Sequence, residues 1–220
     1  MYNMIVNKSV NTQLQAFFAH GVTKSFKKGQ VITQAGQPPD GVSFIEEGTV
    51  EQYDITSAGN KVTVNIFRQG AFFLMSWAIN KTPNTFFFAA ASDVKVRQVE
   101  ADAAISFLQS NPDVTYDLLS RVYKGTDALL RRLILAAGGV ATSKLIFELL
   151  LEGYRFGQGS KNGLTYIDIK QSQLADRSGL ARETVSREMH KLEQEGLIVR
   201  VHHGVEIDIP KLEQRLDLVV

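Results

Sequence analysis

The segment from Gln171 to His190 constrains the fold of this chain more than any other part of its sequence. It reads QSQLADRSGLARETVSREMH, and its apolar residues recur at helical spacing on both sides of Gly179. Ala175 is small enough to let two helices approach closely, and Gly179 adopts the positive φ of a tight turn at little cost. The segment therefore predicts two helices joined by a turn. Four apolar residues are expected to share one core: Leu174, Leu180, Val185 and Met189.

The second of these helices carries Arg182, Glu183 and Arg187 on the face away from that core. An arginine can donate two hydrogen bonds to guanine, and a glutamate can accept one from cytosine N4. These residue types therefore suit a helix that lies in a DNA major groove. An ordinary helix pair with a solvated charged face is the alternative, and these three residues alone do not exclude it.

The residues that follow indicate a hairpin. The second helix is expected to end at Gly196, and two short β-branched runs flank the pair His203-Gly204. A helix-turn-helix followed by a hairpin is a winged helix. The C-terminal part of the chain is therefore interpreted as a domain that binds double-stranded DNA.

Composition limits the remaining classes of protein. The 220 residues suit one large or two modest domains, and a net charge of +1 excludes a bulk polyanion binder. The absence of cysteine excludes disulfides, thiolate zinc sites and cysteine-ligated iron–sulfur clusters, and it fits a reducing cytoplasm. The N-terminus shows no signal-peptide pattern, and no apolar run approaches the ~20 residues of a membrane helix. We expect a cytoplasmic protein without a membrane partner.

The first part of the chain, to about residue 110, has the character of an antiparallel barrel or sandwich. Its β-rich runs alternate with segments of turn chemistry, such as 36–40 and 57–60. The predicted strands are 30–34, 41–46, 49–55, 61–68, 85–91 and 94–100.

A long helix is predicted over 114–137, after a break at 111–113. One apolar stripe runs from Leu118 to Ala136 and a second from Leu119 to Ala137, so one can pack on the β domain while the other meets a partner helix. A single buried helix is the alternative. The pair Gly138-Gly139 is a plausible hinge. A helix over 143–156, a loop over 157–163 and a strand over 164–169 are predicted to follow. The expected divisions are 1–112, 113–139 and 140–220.

Four segments resemble the superfamily of the cyclic-AMP receptor protein and the fumarate–nitrate regulator, the Crp–Fnr superfamily. They are ARETVSR at 181–187, LEQEGLI at 192–198, FIEEGTV at 44–50 and QGAFF at 69–73. The resemblance covers nearly the whole chain. It implies an α+β fold with an N-terminal antiparallel β-roll similar to cyclic-nucleotide-binding domains, a long dimerisation helix and a C-terminal winged helix-turn-helix.

The resemblance also implies a role in regulating transcription. A homodimer would read an inverted repeat with TGTGA-like half-sites, and RNA polymerase is an expected partner. Arg182, Glu183 and Arg187 would contact bases. Three further residues would contact phosphates, which position a protein without reading sequence: Gln171, Ser172 and Thr184.

The sequence departs from the family at the cyclic-nucleotide site. Where the family has a Phe-x-Gly-Glu run, residues 72–76 read FFLMS, and where it has an Arg-Ser-Ala phosphate cradle, residues 84–88 read NTFFF. Leu129-Leu130 stands where a Thr-Ser pair would meet the adenine. A buried phosphate without a guanidinium partner is badly compensated, so cyclic AMP and cyclic GMP are not expected. Haem is not expected either, because His20 is the one histidine outside the DNA-binding domain.

The equivalent pocket region is apolar and aromatic, which suits a small hydrophobic effector. Its candidate lining residues are Phe72, Met75, Ser76, Asn84, Thr85, Leu129 and Leu130. The neighbouring aromatic residues, such as Phe73 and Phe88, either wall this pocket or simply fill the core. Arg131 and Arg132 either meet an acidic effector, are solvated, or pair with acidic residues. A regulator that needs no effector also remains open.

An enzyme is not expected. The sequence contains no Gly-x-Ser-x-Gly, no Walker loop and no His-Glu-x-x-His motif. The stronger rival is a ligand-binding or interaction module of the same fold that does not read DNA sequence.

Overall fold

The computed structural model describes residues 8–160 and 162–217. Two predictions, the N-terminus without a leader and the loop position of Lys161, concern residues outside that range. Within it, one compact unit ends at Ser120 and the second begins at Arg121. This boundary lies inside one long helix, so the division expected at 112 and 139 stays a prediction.

The first unit contains eight strands and three complete helices among its described residues. In chain order these elements are α1 (Lys8–Phe18), β1 (Val22–Phe26), β2 (Val31–Thr33), β3 (Val42–Glu47), β4 (Thr49–Ile55), β5 (Lys61–Arg68), β6 (Phe72–Phe73), α2 (Met75–Asn80), β7 (Phe87–Ala90), β8 (Val94–Val99) and α3 (Ala101–Ser110). The helix α4 (Pro112–Gly138) follows and continues into the second unit.

The strands of the first unit form two antiparallel sheets, with the orders β1-β8-β3-β6 and β2-β7-β4-β5. Their inner faces share one apolar core, to which Ile45 and Val96 contribute from the first sheet and Val50 and Phe88 from the second. This arrangement confirms the predicted antiparallel β domain. The predicted bounds of β4 and β5 are confirmed, and those of β2, β3, β7 and β8 agree within two residues.

A second apolar core lies outside the sheets and joins the helices that sequence analysis did not predict. Val10, Leu14 and Phe18 of α1 are buried there with Ala104 and Leu108 of α3. The four-residue spacing of these positions is the helical signal that was available in the sequence. The first part of the chain is therefore not wholly strand, because three helices cover it.

The second unit is a winged helix. After the C-terminal part of α4 it comprises α5 (Ala141–Phe156), β9 (Gln158–Gly159), β10 (Thr165–Ile167), α6 (Gln171–Ser178), α7 (Arg182–Gln194), β11 (Ile198–Val201), β12 (Gly204–Ile207) and α8 (Ile209–Asp217). The strands form one antiparallel sheet in the order β11-β12-β10-β9. Its core contains Leu145 and Leu149 of α5 with residues of α6, α7 and the hairpin. The predicted shared core is confirmed, because Leu174, Val185 and Met189 are buried in it and the partly buried Leu180 packs against it.

The long helix α4 begins at Pro112, and the break predicted around that proline is confirmed. The residues that α4 buries lie outside both predicted apolar stripes. Val114 is buried in the first unit, whereas Ala128 and Leu135 pack against Phe147 and Leu151 of α5 in the second. Large apolar side chains of both stripes remain exposed, namely Leu119, Val122, Tyr123, Leu129, Leu130 and Leu133, and so do Tyr116 and Ile134 outside the stripes. The alternative of a single buried helix is therefore wrong.

A bidentate ion pair joins α4 to α5. Arg132 donates from Nε and Nη2 to the two carboxylate oxygens of Glu148, at 2.6 and 2.7 Å. Glu148 is only 2% exposed. The interpretation that Arg132 pairs with an acidic residue is therefore confirmed.

We expect Arg132→Ala to destabilise the second unit by about 3–5 kcal/mol, because it leaves the Glu148 carboxylate buried without a partner. The paired change Arg132→Met with Glu148→Leu should recover most of that loss. Urea unfolding followed by circular dichroism measures both, and Trp77 fluorescence reports the first unit as an internal control, since Trp77 is the one tryptophan. An unchanged midpoint in Arg132→Ala contradicts the prediction.

Candidate DNA-binding surface and sensor pocket

The turn between α6 and α7 has the geometry that the sequence indicated. Gly179 follows α6 with φ 67°, and its N–H donates to the carbonyl of Ala175 at 3.0 Å. An ideal Cβ on Gly179 meets nothing within 4 Å, so the backbone conformation rather than crowding favours glycine there. Ala175 is buried between the helices. Both glycine and alanine therefore have the roles predicted for them.

The helix α7 separates an apolar face from a charged one. Val185 and Met189 are fully buried in the core of the winged helix, and Leu174 of α6 is buried beside them. Arg182, Glu183 and Arg187 are exposed, and their positions i, i+1 and i+5 lie on the side of the helix away from that core. The structure thus brings the three predicted base-contacting residues together on one open surface.

Arg187 is available on this surface. Its side chain is 71% exposed, and its Nε lies 3.5 Å from Oε1 of the neighbouring Glu188, which is too long for a strong hydrogen bond. Arg182 is the first residue of α7, so its side chain lies next to the helix N-terminus. Helix N-termini carry partial positive charge, which favours an approaching phosphate backbone.

The residues predicted to contact phosphate also lie at helix N-termini. Gln171 and Ser172 are the first two residues of α6, and Thr184 is in the first turn of α7. All three are half-buried. The start of α6 is stabilised by Gln173, whose Oε1 accepts a hydrogen bond from the Lys170 N–H at 2.9 Å. The two N-terminal turns therefore present backbone N–H groups and short polar side chains.

Sequence analysis missed the buried carboxylates that hold these helices. Glu152 of α5, 2% exposed, accepts a hydrogen bond from Arg177 of α6 at 2.6 Å. Glu188 on the inner side of α7 accepts one from the Thr142 hydroxyl of α5 at 2.6 Å. The available signal was Glu148 and Glu152, four residues apart within the apolar sequence of α5. These contacts fix α6 and α7 against α5.

The wing is the hairpin of β11 and β12, whose two-residue turn is His202-His203. His203 has a φ of 95°, and its carbonyl accepts a hydrogen bond from the Tyr166 hydroxyl at 3.2 Å. Arg200 of β11 donates from Nε to Glu193 of α7 at 2.8 Å, and this hydrogen bond lowers the pKa of the Glu193 carboxyl. The predicted hairpin is confirmed, with its turn one residue earlier than predicted because Gly204 already belongs to β12. A charge-assisted contact ties the hairpin to the end of α7.

The helix α8 was not predicted, and it closes the second unit. Leu212 is buried in the core of the winged helix. The Tyr154 hydroxyl of α5 donates to Glu213 of α8. Burial first, and then this carboxylate, raise the pKa of Tyr154 above its usual value. Tyr154 therefore remains a neutral hydrogen-bond donor at physiological pH.

The seven residues proposed for an effector pocket have different environments. Phe72 and Met75 pack in the core beneath the helices of the first unit, while Ser76 and Thr85 are exposed. Leu129 and Leu130 are exposed on the part of α4 that belongs to the second unit. Two cavities of the first unit, of about 240 and 250 Å³, are lined by none of the seven.

Asn84 is buried and has a structural role. Its Nδ2 donates to the carbonyls of Gln34 and Phe86, at 3.1 and 2.7 Å, and its Oδ1 accepts from the Phe86 N–H at 3.3 Å. These bonds close the turn that precedes β7. The family resemblance implies a phosphate-binding arginine in this region. The amide of Asn84 is instead engaged in hydrogen bonds within its own turn.

The interior of the β-roll is filled by aromatic side chains. The rings of Phe73 and Phe88 stack at 5.4 Å between centroids, and Phe67 lies 5.8 and 6.1 Å from them. Phe73 and Phe88 are both buried in the core shared by the two sheets. The alternative in which these aromatic residues fill the core is therefore favoured for this cluster.

Leu74 stands where the family pattern has the glycine of its Phe-x-Gly-Glu run. Its backbone is left-handed, with φ 72° and ψ 11°, and its side chain is 6% exposed in the same core. A leucine in this conformation costs about 1–2 kcal/mol. The cost is offset by burial of the side chain, so Leu74 occupies the space that a glycine would leave open.

We expect Leu74→Gly to be more stable than Leu74→Ala by about 1 kcal/mol, the reverse of the usual order, because only glycine relieves the left-handed backbone. Both variants should be less stable than the natural protein by about 2–5 kcal/mol, since each leaves a cavity. Denaturant unfolding followed by Trp77 fluorescence measures the order, and a more stable alanine variant contradicts it.

Among residues 8–160 and 162–217, histidine, aspartate and glutamate form no group of three or more that could hold a metal ion. In the same described part of the chain, no helix is long and apolar enough to cross a membrane.

Two family models match the chain, one to each unit. A cyclic nucleotide-binding domain model matches residues 23–111, and a Crp-like helix-turn-helix domain model matches residues 144–215. The matched segments contain the two sheets of the β-roll and the winged helix with α7. The resemblance inferred from the motifs at 44–50 and 181–187 is therefore confirmed.

Named relatives and solved structures agree with these matches. The chain is 26% identical to a Global nitrogen regulator from a Nostoc species over 185 residues, which cover 80% of this chain and 81% of the relative. It is 26% identical to Transcriptional regulator SdrP from Thermus thermophilus over 178 residues, which cover 80% and 84%. A CooA variant from Carboxydothermus hydrogenoformans shares the fold with a TM-score of 0.78 at 15% identity, covering 97% of this chain and 99% of that one. The chain therefore belongs to the Crp–Fnr superfamily of transcription regulators and carries its helix-turn-helix DNA-binding domain.

Proposed function

We propose that this protein is a homodimeric transcription regulator that reads an inverted repeat with TGTGA-like half-sites. The observation that carries the proposal is the exposed face of α7, where Arg182, Glu183 and Arg187 lie opposite the buried face. Two arginines and one glutamate match the donors and acceptor that guanine and cytosine edges require. The regulator acts on chromosomal DNA together with RNA polymerase, in the cytoplasm.

The phosphate contacts are assigned to the N-terminal turns. Gln171 and Ser172 at the start of α6 and Thr184 in the first turn of α7 are placed beside backbone N–H groups. Such contacts set the register of a protein on the duplex, and base contacts then select the sequence.

The exposed apolar face of α4 supports the dimer. Tyr116, Leu119, Tyr123, Leu130 and Leu133 are exposed, and with Thr126 they follow alternating steps of three and four residues. That heptad spacing is typical of a two-stranded coiled coil. Two copies of α4 would bury this face and place two α7 helices on successive half-sites.

The proposed input is not a cyclic nucleotide. A cyclic phosphate needs a cationic partner in a buried site, and the amide of Asn84 is instead engaged in its own turn. Leu74 and the stacked Phe73 and Phe88 occupy the core of the roll. We propose that DNA binding requires no cyclic AMP. The effector pocket predicted from the seven residues Phe72, Met75, Ser76, Asn84, Thr85, Leu129 and Leu130 stays a prediction.

The DNA-reading proposal is tested with Arg182→Ala, and with Lys191→Ala as the control. Both variants remove one positive charge from α7, but Lys191 lies in its last turn. We expect Arg182→Ala to lose about 1–3 kcal/mol of discrimination at one base position, while Lys191→Ala keeps the sequence preference. Fluorescence anisotropy with TGTGA and single-base variant duplexes measures this. Cyclic AMP should leave the affinity unchanged.

The alternative, an interaction module that does not recognise DNA sequence, leads to a different expected result. In that case the natural protein would bind scrambled and TGTGA-containing duplexes alike, and both variants would behave as it does. Affinity that falls steeply with salt but shows no preference at any base position would therefore reject the proposed function.

The dimer is tested with Leu133→Asp and with Arg131→Asp as the control. Leu133 is 65% exposed on the apolar face, whereas the exposed Arg131 lies off that face. A carboxylate at position 133 would be buried without a partner in the interface between the two α4 helices, so Leu133→Asp should shift the protein to a monomer. Light scattering measures the mass. A dimer that persists in Leu133→Asp excludes this face as the dimer interface.

A further inference from the structure

The inner face of the first sheet changes from apolar to polar along its strands. Phe26 pairs with Val94 and Ile45 pairs with Val96, and these apolar residues face the core. Two residues further along the same face stand Lys24 on β1, Ser43 on β3 and Gln98 on β8. Polar residues at inward positions contribute little to apolar packing, so this end of the sheet needs another explanation.

A cavity of about 240 Å³ lies at this polar end. Its polar lining residues are Lys24, Thr33, Gln34, Gln37, Asp40, Ser43 and Gln98, and Phe26, Ile32, Pro38, Pro39 and Val96 add an apolar wall. The volume is below the range of about 300–1,000 Å³ that is usual for drug-sized ligands. The cavity therefore suits a small metabolite.

The polar groups of the cavity are arranged as an ion pair and an uncharged pair. Lys24 Nζ lies 2.8 Å from Asp40 Oδ2, and both side chains keep contact with solvent. Further in, Gln98 Nε2 donates to the hydroxyl of Ser43 at 3.3 Å, and Ser43 is fully buried. A ligand entering past the ion pair thus meets opposite charges first, then amide and hydroxyl groups, and finally an apolar wall.

These groups select a ligand by charge. An anion alone would meet Lys24 but also the carboxylate of Asp40, and a cation alone would meet the reverse. An apolar molecule would exclude water from Lys24, Asp40, Ser43 and Gln98 without offering them a hydrogen bond. A molecule with one carboxylate, one ammonium group and a small side chain satisfies both charges and the wall. We propose that this cavity is a binding site for a small α-amino acid, with its carboxylate on Lys24 and its ammonium group on Asp40.

The cavity is linked to the turn before β7. Gln34 lines the cavity, and its carbonyl accepts a hydrogen bond from Asn84 at 3.1 Å. Gly36, beside the cavity loop, donates its N–H to the Asn84 carbonyl at 2.7 Å. A bound amino acid therefore stabilises the segment that holds Asn84.

The test uses the full-length protein and each of the twenty common L-α-amino acids at millimolar concentration in a thermal-shift assay. At least one is expected to raise the Tm by about 2 °C or more, since a ligand that binds only the folded state stabilises it. For each active compound, the matched acid without the amine and the matched amine without the carboxylate are measured. Both are expected to give a much smaller shift.

Lys24→Met is the informative variant, and Lys27→Met is its matched control. Lys27 forms an equivalent pair with Asp93, also at 2.8 Å, outside the cavity lining. Lys24→Met should abolish the ligand-induced shift and Lys27→Met should retain it. Ser43→Val, which fills the cavity while keeping a strand-forming residue, should abolish the shift as well.

Three outcomes would overturn the proposal. The first is no shift with any of the twenty amino acids, and the second is an equal shift with the acid or the amine alone. The third is a shift that survives both Lys24→Met and Ser43→Val, which would place the ligand elsewhere. None of these outcomes affects the DNA-reading proposal, because that proposal depends on α7 in the other unit.

Discussion

Two buried carboxylates on α5 hold the DNA-binding unit together. Glu148 accepts two hydrogen bonds from Arg132 of α4, and Glu152 accepts one from Arg177 of α6. A carboxylate removed from water costs several kcal/mol unless it is paired, so each glutamate requires its arginine. The helix α5 therefore connects the long helix to the helix-turn-helix through charged contacts as well as apolar ones. The hydrogen bond from Thr142 of α5 to Glu188 then ties α7 to the same helix.

The β-roll uses its interior in two ways. In one part Leu74, Phe73 and Phe88 fill the space between the sheets, and Leu74 keeps a left-handed backbone to do so. At the other end Lys24 and Gln98 face a cavity. This domain matches a cyclic nucleotide-binding model, but its interior is filled around Leu74 and has a cavity at Lys24 and Gln98. The apolar part contributes stability, and the polar end is free to carry recognition.

The sequence predicted the elements whose signals are local. The turn at Gly179 and the helix end at Gly196 depend on backbone conformations that few other residues adopt, and both have positive φ. The strands β4 and β5 were placed at their observed bounds because glycine-rich turns flank them. The helices α1 and α3 were not predicted although Val10, Leu14 and Phe18 show helical spacing, because each helix is short and buries only two or three residues. The strand β1 carried little signal, since most of its residues are exposed.

The sequence by itself determined the chemistry of the output surface. Arg182, Glu183 and Arg187 lie on one face because a helix repeats every 3.6 residues, and no tertiary contact is needed to place them together. Only the tertiary structure decided which acidic and polar residues are buried and what they pair with. Glu148 meets Arg132 across two helices, and Lys24, Ser43 and Gln98 line one cavity from three strands. Such contacts depend on how distant segments of the chain pack together, so they cannot be predicted from the spacing of residues along the sequence.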